Sequence, residues 1–145
     1  QSYIPGKDAP LEATIQTLEW GAYLQETQRP LRENRIQMAM LGWGTVTGDA
    51  DYGLYPLFHS SQWAPGFNRA FYKNVEVDKL LAQARISTLP QGRQQLYREA
   101  MIRIFRDAPW LFLHSEVQVT AVRREVQGFL AHPTERYLAY KARFR

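Results

Sequence analysis

An α/β layered domain is the fold class that the apolar patterning predicts. Three observations lead there. Two stretches carry a helical period, Val77 to Ala84 and Tyr97 to Ala108; short apolar or alternating runs of strand length lie on either side of them; and the order strand, helix, strand, loop, two helices, strands suits neither a bundle nor a sandwich. A chain of 145 residues, 45% hydrophobic and 22% charged, is long enough for one core that buries about 70% of the unfolded surface.

The elements follow in chain order. Residues 1–10, with two prolines and a glycine, form an irregular lead-in to a single α/β lobe over 11–145. Leu11, Ala13, Ile15 and Leu18 alternate with polar residues, which predicts a strand over 11–18. Trp20, Tyr23 and Leu24 predict a short helix from about 19 to 29, stopped by Pro30. Ile36 to Trp43 is almost wholly apolar, as in a strand covered on both faces. From Thr45 to Gly66 the chain reads as a long functional loop rich in glycine, serine and aromatics, with a helical turn or two over Asp51 to Phe58. Asn74 is an N-cap for a helix over 75–86, with Glu76 and Asp78 in its first turn. Thr88-Leu89-Pro90-Gln91 resembles a capping box with proline in the first turn, and opens a second helix to Asp107 along the stripe Tyr97, Met101, Ile104, Phe105 and Ala108. Trp110 to His114, Val117 to Arg123 and Tyr137 to Tyr140 are the remaining expected strands.

Composition excludes several chemistries. Without cysteine there is no disulfide scaffold, thiolate nucleophile or Cys-type zinc site. His59, His114 and His132 stand too far apart for a metal-ligand spacing. His59-Ser60-Ser61 lacks a nucleophile elbow, and neighbours on a chain rarely face one another, so no catalysis and no cofactor is expected. No apolar run approaches the roughly 20 residues of a membrane helix. The N-terminus lacks the basic-then-apolar order of a signal peptide, which leaves a cytoplasmic protein, a mature form or a fragment. The formal charge of +4 raises a basic α/β nucleic-acid-binding domain as an alternative, but the six basic and two acidic side chains from Arg123 to Arg145 are mixed with strand-like apolar residues and read more simply as a solvated face.

Ile36 to Asn68 is different: it holds no Lys or Arg, and its two acids, Asp49 and Asp51, stand among Trp43, Tyr52, Tyr55, Phe58, Trp63 and Phe67. Aromatics around sparse carboxylates suit a ligand pocket in which a carboxylate orients an ammonium or guanidinium group. Asp49 serves equally well as the cap of a helix starting near Asp51. On the residues alone both readings stand.

Gly42-Trp43, the Gly48-Asp49-x-Asp51 turn, Pro56-Leu57-Phe58, Phe67-Asn68-x-x-Phe71-Tyr72-x-Asn74-x-x-Val77-Asp78-x-Leu80-Leu81, Arg93-x-x-Leu96-Tyr97-x-x-Ala100, Asp107-Ala108-Pro109-Trp110 and Val126-x-Gly128-Phe129 occur in this order. Over residues 11–132 the series resembles the C-terminal lobe of family 5 extracytoplasmic solute-binding proteins, the peptide, glutathione and nickel receptors of ABC importers. The resemblance implies a type II periplasmic-binding fold, a mixed sheet flanked by helices, in which two lobes close over a ligand and dock on a membrane permease. The dipeptide receptors carry an aspartate three residues after the tryptophan, where this chain has Val46. Its turn is more similar to the glutathione-binding branch, whose acids come later.

By motif position, the resemblance implies that Asp49 or Asp51 holds the ligand ammonium, that Trp43, Tyr52, Trp63 and Tyr72 wall the pocket, that Asn68 hydrogen-bonds the ligand, and that Arg69 partners a carboxylate. The ligand would be a short peptide or glutathione, and the location periplasmic or extracytoplasmic. Family members lead into the first strand with a helix that residues 1–10 do not offer, so the resemblance implies a fragment, a truncated product or a rearranged one. Its unpartnered face would then favour pairing with a second copy.

Overall fold

The structure, a computed structural model, describes residues 14–132, 134 and 136–145. Four helices come first: α1 (Trp20–Thr27), α2 (Ala50–Phe58), α3 (Val75–Ile86) and α4 (Pro90–Asp107), with a 3-10 turn at Ser60–Gln62 after α2. Four two-residue strands follow, β1 (Val126–Gln127), β2 (Leu130–Ala131), β3 (Tyr137–Leu138) and β4 (Arg143–Phe144). They make two antiparallel ribbons, β1 with β4 in register Val126↔Phe144 and β2 with β3 in register Leu130↔Leu138. Between β1 and β2, Gly128 has φ +74 and its α-carbon faces the Lys141 carbonyl, so no side chain fits there.

The core is a helical hairpin with α2 laid across it. Val77, Leu81 and Ala84 of α3 recur at i, i+4 and i+7, and Tyr97, Ala100 and Ile104 of α4 at i, i+3 and i+7; together with Leu57 and Phe58 of α2 they are the buried cluster. Each large aliphatic side chain taken out of water here contributes about 1.5–3 kcal/mol. Asn74 caps α3 as expected, its Oδ1 accepting from the backbone N–H of Glu76 (3.0 Å) and Val77 (3.2 Å). The expected capping box of α4 does not form. The helix begins at Pro90, so the N-cap position falls on Leu89, which has no side-chain acceptor, and Thr88 stands one residue too early. The other end closes with Ala108 in the left-handed conformation (φ 48), its N–H donating to the Ile104 carbonyl at 3.0 Å.

The expected strands fare differently. Residues 11–13 of the first lie outside the described residues; 14–18, Ile36–Trp43, Trp110–His114 and Val117–Arg123 have no ladder partner, whereas Tyr137–Leu138 pairs within the expected 137–140. The physical reason is visible in exposure: Ile15 is 91% exposed, Met40 75%, Leu111 84% and Val119 89%. A strand is defined by the neighbour that receives its N–H and C=O groups, and among the described residues these segments have none. The stripe on α4 is likewise half covered, since Met101 and Phe105 face outward. The accessible surface of 12282 Å² compares with about 7,700 Å² for a compact monomer of this size. Among the described residues no helix is long and apolar enough to cross a membrane.

Candidate functional site

Trp43 leads an aromatic ledge before α2. Its ring stacks on Tyr52 (centroids 5.4 Å, planes 27° apart) and meets the edge of Phe67 at 5.3 Å. What holds the indole is a defect in the helix. Pro56 lies inside α2 and has no N–H, so the Tyr52 carbonyl, four residues earlier, lacks its helical donor. The Trp43 Nε1–H donates to that carbonyl instead, at 3.0 Å. Trp43 and Tyr52 are half-buried, while Phe67 is 42% exposed and forms the open edge of the ledge.

Asp49 and Asp51 do not face this ledge as free carboxylates. Asp49 is the N-cap of α2, its Oδ1 accepting from the Asp51 N–H at 2.8 Å, and it pairs with Arg93 of α4 at 2.6 Å. The Arg93 guanidinium, then the capped backbone N–H, hold the Asp49 carboxyl below the ordinary carboxylate range. Asp51 pairs with Arg85 at 3.1 Å and accepts from the Tyr97 hydroxyl at 3.3 Å. Arg85 in turn lies 4.0 Å over the Tyr55 ring. Each acid thus has an arginine partner within the chain, and the two pairs fasten the start of α2 to α3 and α4. The cap reading of Asp49 holds. Arginines 34 and 44 positions downstream of the acids they pair are beyond what local spacing can reveal.

Asn68 lies inside a bend. It is fully buried; its Nδ2 donates to the carbonyls of His59 (3.1 Å) and Tyr72 (2.9 Å), and its Oδ1 accepts from the Tyr72 N–H (3.1 Å). The side chain supports a tight bend in which Phe71 takes φ 50, a costly conformation for a bulky residue. Trp63 and Tyr72, expected in the wall, are separate from the Trp43 ledge. The Trp63 Nε1–H donates to the Tyr72 carbonyl (2.9 Å) and its ring meets Phe71 edge-on. The Tyr72 hydroxyl donates to Asp107 at 2.6 Å; burial, reinforced by that carboxylate, pushes the phenol well above its ordinary range. The same Asp107 oxygen accepts from Asn74 Nδ2 at 2.7 Å, tying the bend to the end of α4.

Arg69 sits on the other side of Phe67. Its Nε donates to Thr27 Oγ1 at 3.1 Å, its guanidinium lies 5.6 Å over the Phe67 ring, and partial burial lowers its pKa. Thr27, 2% exposed, donates its hydroxyl to the Tyr23 carbonyl at 2.8 Å. Thr27 and Phe67 were not among the expected site residues, although the aromatic character of Phe67 marked it. His59 and Ser61 do meet, against expectation: Nδ1 accepts the Ser61 N–H at 3.1 Å and lies 2.8 Å from Ser61 Oγ. Both bonds fall on one nitrogen and cap the 3-10 turn, which is a turn device rather than a nucleophile with an oriented base.

Comparison with known proteins adds lineage. No family model matches the chain. It is 40% identical over 104 residues to the glutathione-binding protein GsiB of Pectobacterium atrosepticum, spanning 71% of this chain and 20% of the relative. To GsiB of Escherichia coli strain K12 it is 35% identical over 125 residues, 85% of this chain and 24% of the relative. HbpA2 from Haemophilus parasuis superimposes with a TM-score of 0.62 at 24% identity, covering 90% of this chain and 25% of that one. The chain is homologous to the family 5 extracytoplasmic solute-binding proteins. As a family 5 relative it spans about a quarter of the length of the curated proteins it matches, and its fold is that of an α/β lobe of the periplasmic-binding type. The GsiB relatives are named as glutathione-binding proteins, and nothing in the comparisons favours the nucleic-acid alternative.

Proposed function

We propose that this chain is part of the ligand-binding lobe of a solute-binding component of an ABC importer, which takes a short peptide or glutathione between two lobes and delivers it to a membrane permease outside the cytoplasm. The observation that carries the reading is the ledge of Trp43, Tyr52 and Phe67, a rigid apolar surface with its open edge toward solvent and a cation beside it. Such a surface suits the peptide planes and side chains of a small ligand, with polar groups supplying orientation. Sequence identity of 35–40% to glutathione-binding proteins supports glutathione or a peptide of similar size. The exposed apolar segments at 36–43 and 111–122 suit coverage by the remainder of a two-lobed receptor.

Calorimetric titration of the complete protein carrying this chain with glutathione and with dipeptides tests the reading. Saturable binding to one of them is expected, and Trp43→Ala weakens it by about tenfold or more, as loss of a central aromatic anchor does. No heat with any of these ligands, together with filter binding of duplex DNA that fades steeply as salt rises, overturns it in favour of a phosphate-driven interaction.

A further inference from the structure

We infer that the antiparallel ribbon over residues 123–145 is a docking surface for anionic phospholipid headgroups, which holds the protein against a negatively charged membrane face. This role goes beyond the solute-binding reading and does not depend on which solute is bound.

Charge is unevenly placed along the chain. Of its 18 Lys+Arg and 14 Asp+Glu side chains, six cations and two acids fall within 123–145, so residues 1–122 balance at twelve of each and the whole excess of +4 lies in the ribbon. Arg123, Arg124, Arg136, Lys141, Arg143 and Arg145 are all exposed, and among the described residues none of them forms an ion pair. This separates the ribbon from the other exposed stretches. Residues 36–43 and 110–122 hold one acid and no Lys or Arg between them, so further protein can bury them at little electrostatic cost. Six cations cannot be covered by an apolar surface without a heavy loss of hydration; what suits them is a surface that brings anions.

The build of the ribbon adds an apolar component. Val126 pairs with Phe144 and Gln127 with Arg143, and successive strand residues alternate in face, so Arg143 and Arg145 project from one side and Phe144 from the other. Further along, Ala131 pairs with Tyr137, whose ring stacks on Phe129 with centroids 6.3 Å apart, and Lys141 Nζ lies 5.6 Å from the centre of the Tyr140 ring. Leu130, Tyr137, Tyr140 and Phe144 are exposed. Aromatic rings interleaved with Lys and Arg match the boundary of a bilayer, where rings sit at headgroup depth while long basic side chains reach the phosphates. A nucleic-acid backbone answers the cations alone and leaves Leu130 and Phe144 unused, which favours lipid as the partner.

Co-sedimentation of the complete protein carrying this chain with lipid vesicles tests the role, using phosphatidylcholine alone and phosphatidylcholine mixed with phosphatidylglycerol. Partition onto the anionic vesicles is expected to exceed that onto the neutral ones by about tenfold or more at low salt and to fade as salt rises. Lys141→Gln, Arg143→Gln and Arg145→Gln together bring it down to the neutral level, whereas Tyr140→Ser with Phe144→Ser weakens it less and keeps the salt dependence. Equal partition of the unmodified protein onto neutral and anionic vesicles overturns the inference, and this arm does not depend on the folding of any variant. An undiminished anionic preference in the triple variant overturns it equally. Duplex DNA that strips the protein from anionic vesicles at equal phosphate concentration assigns the ribbon to nucleic acid and overturns it as well. Calorimetry with glutathione keeps this role apart from solute binding: a folded triple variant with unchanged glutathione affinity and no vesicle preference supports the inference, and one that loses both assigns these cations to the solute site and overturns it. Failure of the unmodified protein to bind glutathione or dipeptides removes the solute-binding reading, while a preference for anionic vesicles in the same sample still supports the ribbon's role.

Discussion

Helix α3 of the hairpin and the segment 111–122 each hold seven apolar residues in twelve and meet opposite fates. Val77 and Leu81 are 0% exposed; Val117 and Val119 are 86% and 89% exposed. A helix satisfies its own backbone and needs only one face covered, which the neighbouring helix provides after a link of just Ser87 to Leu89. A β-segment must borrow both its hydrogen bonds and its packing from elsewhere in the fold. The buried face of the hairpin is accordingly filled from within this chain, whereas 111–122 has no such neighbour among the described residues.

Mutations at the two regions should separate by their cost. Leu81→Ala opens a void in the hairpin and is expected to destabilise by about 2–5 kcal/mol in chemical denaturation; a cost below about 1 kcal/mol would mean that the hairpin is as loosely held as the flanks. Asn68→Ala strands buried carbonyls and an N–H in the bend, with an expected cost of about 1–3 kcal/mol by the same measurement. Acid comes next. Asp49 and Asp107 have folded pKa values below the ordinary range, through Arg93 in one case and through Tyr72 and Asn74 in the other. Their contribution is therefore present above the unfolded value of 3.8 and is lost as pH falls through the lower folded values. Because Asp49 is 42% exposed, screening keeps its share small. Melting temperatures followed from pH 7 downward should stay level to about pH 5 and then fall, less steeply in an Asp49→Asn, Asp107→Asn double variant. Val119→Thr should be smallest, within about 0.5 kcal/mol in this chain. Measured in the complete protein, the same substitution becomes costly if the segment is paired there, which sharpens the contrast between the regions.

The helices were legible because their signals are local. Asn74 before Val77, Leu81 and Ala84 set α3 to the residue, and Pro90 with Asp107-Ala108-Pro109 bounded α4. The strand positions carried the right hydrophobicity without the information that decides pairing, which lies in residues far along the chain or outside it. The site divided in the same way. Trp43 and Tyr52 do meet, since both lie within one short stretch, and the motif order led to the correct family. The partners of Asp49, Asp51 and Asn68, namely Arg93, Arg85 and the carbonyls of a bend, were not legible because they become neighbours only after folding. Sparse acids among aromatics look alike whether they await a ligand or an internal arginine.

Pro56 carries a lesson for anyone selecting variants of this chain. A thermostability screen would favour Pro56→Ala, which restores an amide donor and relieves a helix interior of its least suitable residue. The restored N–H would compete for the Tyr52 carbonyl and displace the Trp43 indole, whose orientation depends on that one acceptor. Improved melting behaviour and a blurred ledge would thus arrive together, and a library sorted by heat alone would discard the proline that keeps Trp43 in place.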